Sequence, residues 1–210
     1  MTRVLIADDH AIVRRGLVDI IDEAIDLQVS GEASDGSELI ALVRTQGCDV
    51  IVLDLSMPGV SGLDLIKLLK SEYPKLPLLV LSAHPEDQYA VRVLRAGASG
   101  YLTKESALSD LVRAIRRVAG GGRYVTPALA ETLLSHLDSE PGQALHETLS
   151  DREYQVLCRI ASGKQVSEIA DELALSVKTI STYRSRMLQK MSMKSNAELT
   201  RYAIKNGLVE

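Results

Sequence analysis

The stretch Val50 to Gly59, VIVLDLSMPG, decides how the chain is read. Val50–Leu53 is an unbroken apolar run, short and rich in β-branched residues, the composition of a strand buried on both faces. It ends on Asp54. A carboxylate left unpaired in an apolar setting is costly, so Asp54 belongs at the strand's exit, where solvent or a cation reaches it. Pro58 and Gly59 then turn the chain. A turn or helix-capping aspartate would look the same within these ten residues, so the flanking sequence has to decide.

The pattern recurs on either side. Short apolar runs at Val4–Ala7, Leu27–Ala33, Val50–Leu53, Leu78–Ser82 and Gly100–Thr103 alternate with stretches of helical period at 11–25, 36–46, 61–72, 87–97 and 106–119. Such alternation predicts a doubly wound α/β domain with a five-stranded parallel sheet and crossover helices, over residues 1–121. Gly120, Gly121 and Gly122 hold neither helix nor strand cheaply and close it. Residues 122–147 read as a linker, with a short helix over 126–137 that has Pro127 in its first turn, then the turn-rich DSEPGQ at 138–143.

From Leu149 the period is helical throughout, predicting a small all-α domain over 148–210. Ser150 with Glu153, and Ser195 with Glu198, have capping-box spacing. Helical patterns at 165–173 and 177–191 are separated by only three residues, with Ser176 placed to cap the longer one. That is helix-turn-helix spacing, although a plain αα-hairpin uses similar residues.

Composition narrows the classes. Trp and Phe are absent, so Leu, Ile, Val and Ala must build the cores. No apolar stretch approaches the ~20 residues of a membrane span, and the N-terminal MTRVLIADDH lacks a basic segment followed by a long apolar one, which predicts a cytoplasmic protein without a membrane partner. Cys48 and Cys158 stand alone, which predicts packing roles. The net charge of −4 divides unevenly. Residues 148–210 carry ten Lys/Arg against seven Asp/Glu, leaving the acidity to the first part. An acidic front suits a divalent cation or a basic protein surface, and a mildly basic tail is permissive for nucleic acid.

In a parallel sheet the carboxyl ends of all strands lie along one edge, where ligands bind at the switch in strand order. The first strand runs into Asp8 and Asp9, the third into Asp54, the fourth into Ser82 and the fifth into Lys104. Each alone has an ordinary reading as a cap, a turn residue or a surface lysine. Jointly they place three carboxylates, a hydroxyl and an ammonium on one edge. Like charges so close call for a cation, and Mg²⁺ takes one or two carboxylates, waters and phosphate oxygens. Mg²⁺ and a phosphoryl group are therefore expected. An aspartate can attack phosphorus to form an acyl phosphate. Asp54 is then the nucleophile, Asp9 and Asp54 hold the metal with Asp8 acting through water, and Ser82 and Lys104 each stabilise a phosphoryl oxygen.

Asp8-Asp9-His10, Asp54 within LDLSMPG, Ser82 in LVLSA and Lys104 in AGASGYLTK together resemble a response-regulator receiver domain across residues 1–120. The resemblance implies a flavodoxin-like fold, the Ser56 backbone carbonyl as a further metal ligand, Ser82 and Tyr101 as switch residues, and a sensor histidine kinase whose phosphohistidine is the donor. It implies no enzyme beyond phosphoryl transfer and dephosphorylation at Asp54. Glu105 stands where many receivers have proline.

Val177–Met191, VKTISTYRSRMLQKM, carries Lys178, Arg184, Arg186 and Lys190 and no acid. At about 100° per residue, Val177, Ile180, Met187, Leu188 and Met191 form a buried stripe and a polar, basic face points outward. Such a face suits a major groove. Lys178, Thr179, Tyr183, Arg186 and Lys190 are expected on phosphates, with Ser181, Thr182 and Ser185 facing bases. Arg184 falls near the buried stripe, and its head is expected to snorkel out to a phosphate. LSDRE at 149–153, ASGK at 161–164, EIADEL at 168–173 and TISTY at 179–183 resemble a LuxR-type helix-turn-helix, and the whole chain resembles a NarL/FixJ-family response regulator. Many relatives have Thr-Val-Lys-x-His where this chain has Thr179-Ile180-Ser181-Thr182-Tyr183. The implied function is regulation of transcription, with phosphorylation of Asp54 controlling homodimerisation and binding to promoter DNA. Leu199, Tyr202 and Ala203 of the last helix are expected to form the dimer seam.

Two other classes share parts of this pattern. A haloacid-dehalogenase-like phosphatase also uses a strand-end aspartate, but it wants a second aspartate two positions on, where this chain has Ser56. A protein-binding adaptor would lack the steep salt dependence of a DNA reader.

Overall fold

The computed structural model describes residues 1–57, 62–82, 86–127, 129–131, 145–173 and 175–209, without the side chains of 86–89, 108, 147 and 151. The Pro58–Gly59 turn, the DSEPGQ breaker and most of the expected 126–137 helix lie outside the described residues. The chain forms two compact units, Met1–Ser139 and Glu140–Glu210.

The first unit alternates strand and helix: β1 Thr2–Ala7, α1 Ala11–Asp22, β2 Leu27–Ala33, α2 Gly36–Gln46, β3 Val50–Asp54, α3 Gly62–Glu72, β4 Leu78–Ser82, α4 Glu86–Arg95, β5 Gly100–Thr103 and α5 Lys104–Ala119. The strands are parallel in the order β2-β1-β3-β4-β5. The expected doubly wound sheet is therefore present, and its order reverses between β1 and β3, directly beside the ends that carry Asp8 and Asp54. β3 is buried along its whole length because it is central and covered on both faces. Val4, Ile6, Val50, Val52, Leu79, Leu81 and Leu102 point to the face where α1 and α5 contribute Leu17, Ile21, Leu111 and Ile115. Alternate residues, Leu5, Ile51, Leu53, Val80 and Tyr101, are buried on the other face. Each fully buried aliphatic side chain contributes about 1.5–3 kcal/mol, so this double-sided core holds the strand ends in place.

α5 starts at Lys104, earlier than the apolar period predicts, because the Thr103 side chain accepts a hydrogen bond from the Ser106 N–H and caps the helix. It ends at the glycine run, with Gly121 at φ +80°. The first unit does not end there. Tyr124 returns to the free edge of β5, donating its N–H to the Ser99 carbonyl at 3.0 Å and accepting from the Tyr101 N–H at 3.2 Å. The expected linker thus begins as part of the sheet unit. This approach requires glycine at position 100, where a Cβ would lie 2.9 Å from both the Tyr124 carbonyl oxygen and Leu79 Cδ1.

The second unit opens with a 3₁₀ turn, Leu145–Thr148, followed by α6 Asp151–Ala161, α7 Val166–Glu172, α8 Val177–Lys190 and α9 Asn196–Lys205. Ser150 and Glu153 close a full capping box on α6. Ser176 caps α8 by accepting from the Thr179 N–H. Ser195 caps α9, but Glu198 reaches back to the Lys194 N–H rather than to Ser195. α6 packs against both α8 and α9, and α7 against α8. Ile169, Ala170, Ile180, Met187, Met191, Leu199 and Ala203 are buried between them. Val177, expected in the buried stripe, is 52% exposed, since it occupies the first turn of α8 beyond the reach of the packed helices. Among the described residues no helix is long and apolar enough to cross a membrane.

Replacing Gly100 by Ala should force the Tyr124 segment off β5 and lower the stability of the first unit by about 1–3 kcal/mol, read from urea unfolding of the full chain.

Candidate functional site

The strand-end residues of the first unit converge as the topology requires. Asp8 and Asp54 are both buried, and the Lys104 ammonium bridges them: Nζ donates to Asp8 Oδ2 at 2.7 Å and to Asp54 Oδ2 at 2.8 Å. Lys104 can do this because it opens α5 immediately after β5. The second oxygen of each carboxylate is held locally, Asp54 Oδ1 accepting from the Ser56 N–H at 3.0 Å and Asp8 Oδ1 from the His10 N–H at 2.8 Å. Burial pushes the Asp54 carboxyl above its ordinary range, against the opposing pull of Lys104 and the Ser56 N–H. Burial pulls the Lys104 pKa down, but its hydrogen bonds to Asp54 and Asp8 outweigh that and raise it above the ordinary lysine value.

Asp9 lies at the more exposed rim. Carboxylate oxygens of Asp8, Asp9 and Asp54 and a ring nitrogen of His10 all fall within 4.8 Å of one another. Three carboxylates face one ammonium, and the excess negative charge, with Asp54 raised by burial, matches what a hard divalent cation relieves. The donor set therefore fits the expected Mg²⁺. Ser82 is buried at the end of β4, one position beyond Leu81, which pairs with Asp54. Tyr101 is fully buried on β5. Two residues near the site carry no role in the sequence reading, although His10 belongs to the quoted Asp8-Asp9-His10 motif. His10 places Nδ1 2.8 Å from Asp9 Oδ1, and Arg14, one turn along α1, donates to the Asp8 backbone carbonyl at 2.6 Å. Their positions after Asp8-Asp9 at the start of a helix were the available signal.

In the second unit α8 presents Lys178, Ser181, Thr182, Ser185 and Arg186 to solvent, with Thr179 and Tyr183 half-buried. Thr182 and Ser185 donate their hydroxyls to the Lys178 and Ser181 carbonyls, leaving the oxygens' acceptor lone pairs outward. Three expectations change here. Lys190 Nζ is held by Glu153 Oε2 at 2.6 Å, tying the end of α8 to the cap of α6. Arg184 is likewise engaged, donating from Nε to Asn196 Oδ1 at 2.6 Å instead of snorkelling to a phosphate. The dimer seam fails: Leu199 and Ala203 are both 0% exposed in the domain's own core, and the Tyr202 hydroxyl bonds His146. Leu199 and Ala203 therefore present no surface to a second copy, while Tyr202 is half-buried.

The comparisons with known proteins agree with this architecture. Residues 4–116 match the response regulator receiver domain, and residues 147–203 match the bacterial regulatory proteins of the luxR family. Response regulator UvrY of Escherichia coli K12 is 37% identical over 99% of this chain and 96% of its own length. Response regulator GacA of Pseudomonas aeruginosa PAO1 is 37% identical over 100% of this chain and 99% of its own. Among solved structures, RcsB from Salmonella enterica serovar Typhimurium, bound to promoter rprA in the presence of the phosphomimetic BeF₃⁻, superposes with a TM-score of 0.63 at 30% identity, covering 96% of this chain and 97% of that one. What fold and site define is thus a receiver coupled to a LuxR-type helix-turn-helix. The chain belongs to the NarL/FixJ family of response regulators.

Glu153 generates a pH prediction. Burial would raise its pKa, but Lys190 and the Ser150 groups outweigh burial and lower it from the ordinary 4.5. A carboxyl depressed in the folded state contributes stability above its unfolded pKa and loses it as pH falls through the folded value. The melting advantage of wild type over Glu153→Gln should therefore be full near neutrality and shrink below pH 4.5, as followed by circular dichroism.

Proposed function

We propose that Asp54 is the phosphoacceptor of this response regulator and that its phosphorylation governs dimerisation and promoter binding through α8. The observation that carries the reading is the Lys104 ammonium bridging Asp8 and Asp54 at a buried sheet edge. On this reading the sheet unit, carried on through Tyr124 rather than ending at 121, is the phosphoacceptor domain, and residues 148–210 are the DNA-binding domain. An Asp54 oxygen attacks the phosphorus of a phosphohistidine on a partner sensor kinase; the new P–O bond forms as the P–N bond breaks, and the electron pair returns to the imidazole. Catalysis of such a step is mostly positioning and charge neutralisation. Asp8, Asp9, Asp54 and the Ser56 carbonyl would hold Mg²⁺, which supplies neutralisation of phosphoryl oxygens when bound. Lys104 shifts from its carboxylate bridge toward the phosphoryl group, Ser82 donates to another of its oxygens, and Tyr101 repacks on β5.

Lys178, Thr179, Tyr183 and Arg186 then contact DNA phosphates, while Ser181, Thr182 and Ser185 face bases. Lys190 leaves this set because Glu153 already holds it. Homodimerisation draws support from the relative RcsB, solved as two dimers on two parallel DNAs. A cytoplasmic location goes with this reading.

Asp54→Asn, incubated with acetyl phosphate and Mg²⁺, should show none of the gain of about 80 Da, one phosphoryl group, that the wild type shows by intact mass. A substituted protein that still gains it would refute the assignment. Arg186→Ala should weaken all DNA sequences about equally and lower the slope of log affinity against log salt by about 0.9, measured by fluorescence anisotropy. Lys190→Ala, by contrast, should act chiefly on thermal stability.

A further inference from the structure

The His10 side chain lies at the acidic edge but has no part in the phosphoryl chemistry proposed above. Its ring is placed there by its own backbone: the His10 N–H donates to Asp8 Oδ1 at 2.8 Å, fixing the residue as the N-cap of α1. Its Nδ1 then lies 2.8 Å from Asp9 Oδ1 and 3.3 Å from Asp8 Oδ1. Ligands at 2.0–2.1 Å on an octahedral ion sit about 3 Å apart along each edge, and these two separations bracket that value. The side chain makes no capping hydrogen bond to α1, so it is not committed to the helix.

We propose that His10 is itself a ligand of the divalent-cation site, giving it an imidazole nitrogen beside its carboxylates. The ring is 63% exposed, and with its N–H on Nε2 the Nδ1 lone pair faces the same point as the Asp9 oxygen. Asp9, at the same rim, supplies the neighbouring oxygen, while the Lys104 bridge at the buried end is undisturbed. Imidazole suits first-row transition ions, whereas Mg²⁺ prefers oxygen ligands and retained waters. The site therefore selects for Mn²⁺ and the ions beyond it over Mg²⁺, a preference a purely oxygen-lined pocket would express less strongly.

This inference rests on the cation site proposed above, and one experiment separates the two. The full-length protein is loaded with Mn²⁺ alone and studied by electron spin echo envelope modulation, with Mn²⁺ and Mg²⁺ affinities measured by titration. Expected is a bound Mn²⁺ signal carrying ¹⁴N modulation in wild type, loss of that modulation in His10→Ala, and a fall in Mn²⁺ affinity of about tenfold or more, since loss of even an outer-shell partner costs that much. Mg²⁺ affinity should change little. Because the His10 side chain makes no capping bond, its removal leaves α1 capped as before, and circular dichroism checks this. Bound Mn²⁺ without nitrogen modulation, or modulation that survives in His10→Ala, overturns the role of His10 and leaves the cation site standing. Failure of Mn²⁺ to bind the wild type overturns both.

Discussion

The first unit depends on one ammonium shared between two buried carboxylates. Asp8 and Asp54 sit at adjacent strand ends because β1 and β3 pair in parallel register, and the sheet cannot form without bringing them together. Removing one partner of such a buried charge cluster typically costs about 3–5 kcal/mol, because the remaining charge stays buried and unpaired. Lys104 therefore balances the two buried carboxylates and lies 2.8 Å from an Asp54 oxygen. An added phosphoryl group competes for the same ammonium. The Asp54 carboxylate is thus linked directly to the start of α5, since Lys104 is the first residue of that helix.

A similar economy operates in the second unit around Glu153. This buried carboxylate accepts from the Ser150 N–H, completing the α6 cap, and from Lys190 at the far end of α8. With Arg184 tied to Asn196, α8 is held toward both α6 and α9 by polar contacts in addition to its apolar stripe. These tethers set the angle at which the exposed hydroxyls and cations of α8 are presented. The basic side chains that position the helix, Arg184 and Lys190, are consequently different from Lys178 and Arg186, which it presents to solvent.

That distinction explains what was legible in the sequence. Strand and helix order could be read because period-2 and period-3.6 patterns are local, and the converging strand ends followed from parallel topology alone. Val177 and the Leu199–Ala203 stripe were misplaced for a shared reason: periodicity tells which face of a helix is apolar, but neither how far the covering helix extends nor whether the cover is the chain itself. Lys190 was read as a phosphate contact because its partner Glu153 lies 37 residues away, beyond any helical spacing. The nearness of His10 to Asp9 depends on a ring orientation set by the turn into α1, which a run of residue types does not encode.

The return of Tyr124 to β5 bears on how the sheet avoids pairing with foreign chains. An outer strand presents unpaired backbone groups that template aggregation, and natural sheets blunt both edges. Here the two edges are protected differently. β2 carries a bulge where the register slips between Val4 and Leu5, which twists that margin away from flat pairing. β5 is instead sealed by the chain's own next segment, with the Arg113 guanidinium donating to the Tyr124 hydroxyl and clasping it from α5. A receiver cut at the glycine run would bare that margin, so a well-behaved excised domain has to carry its sequence on through Tyr124.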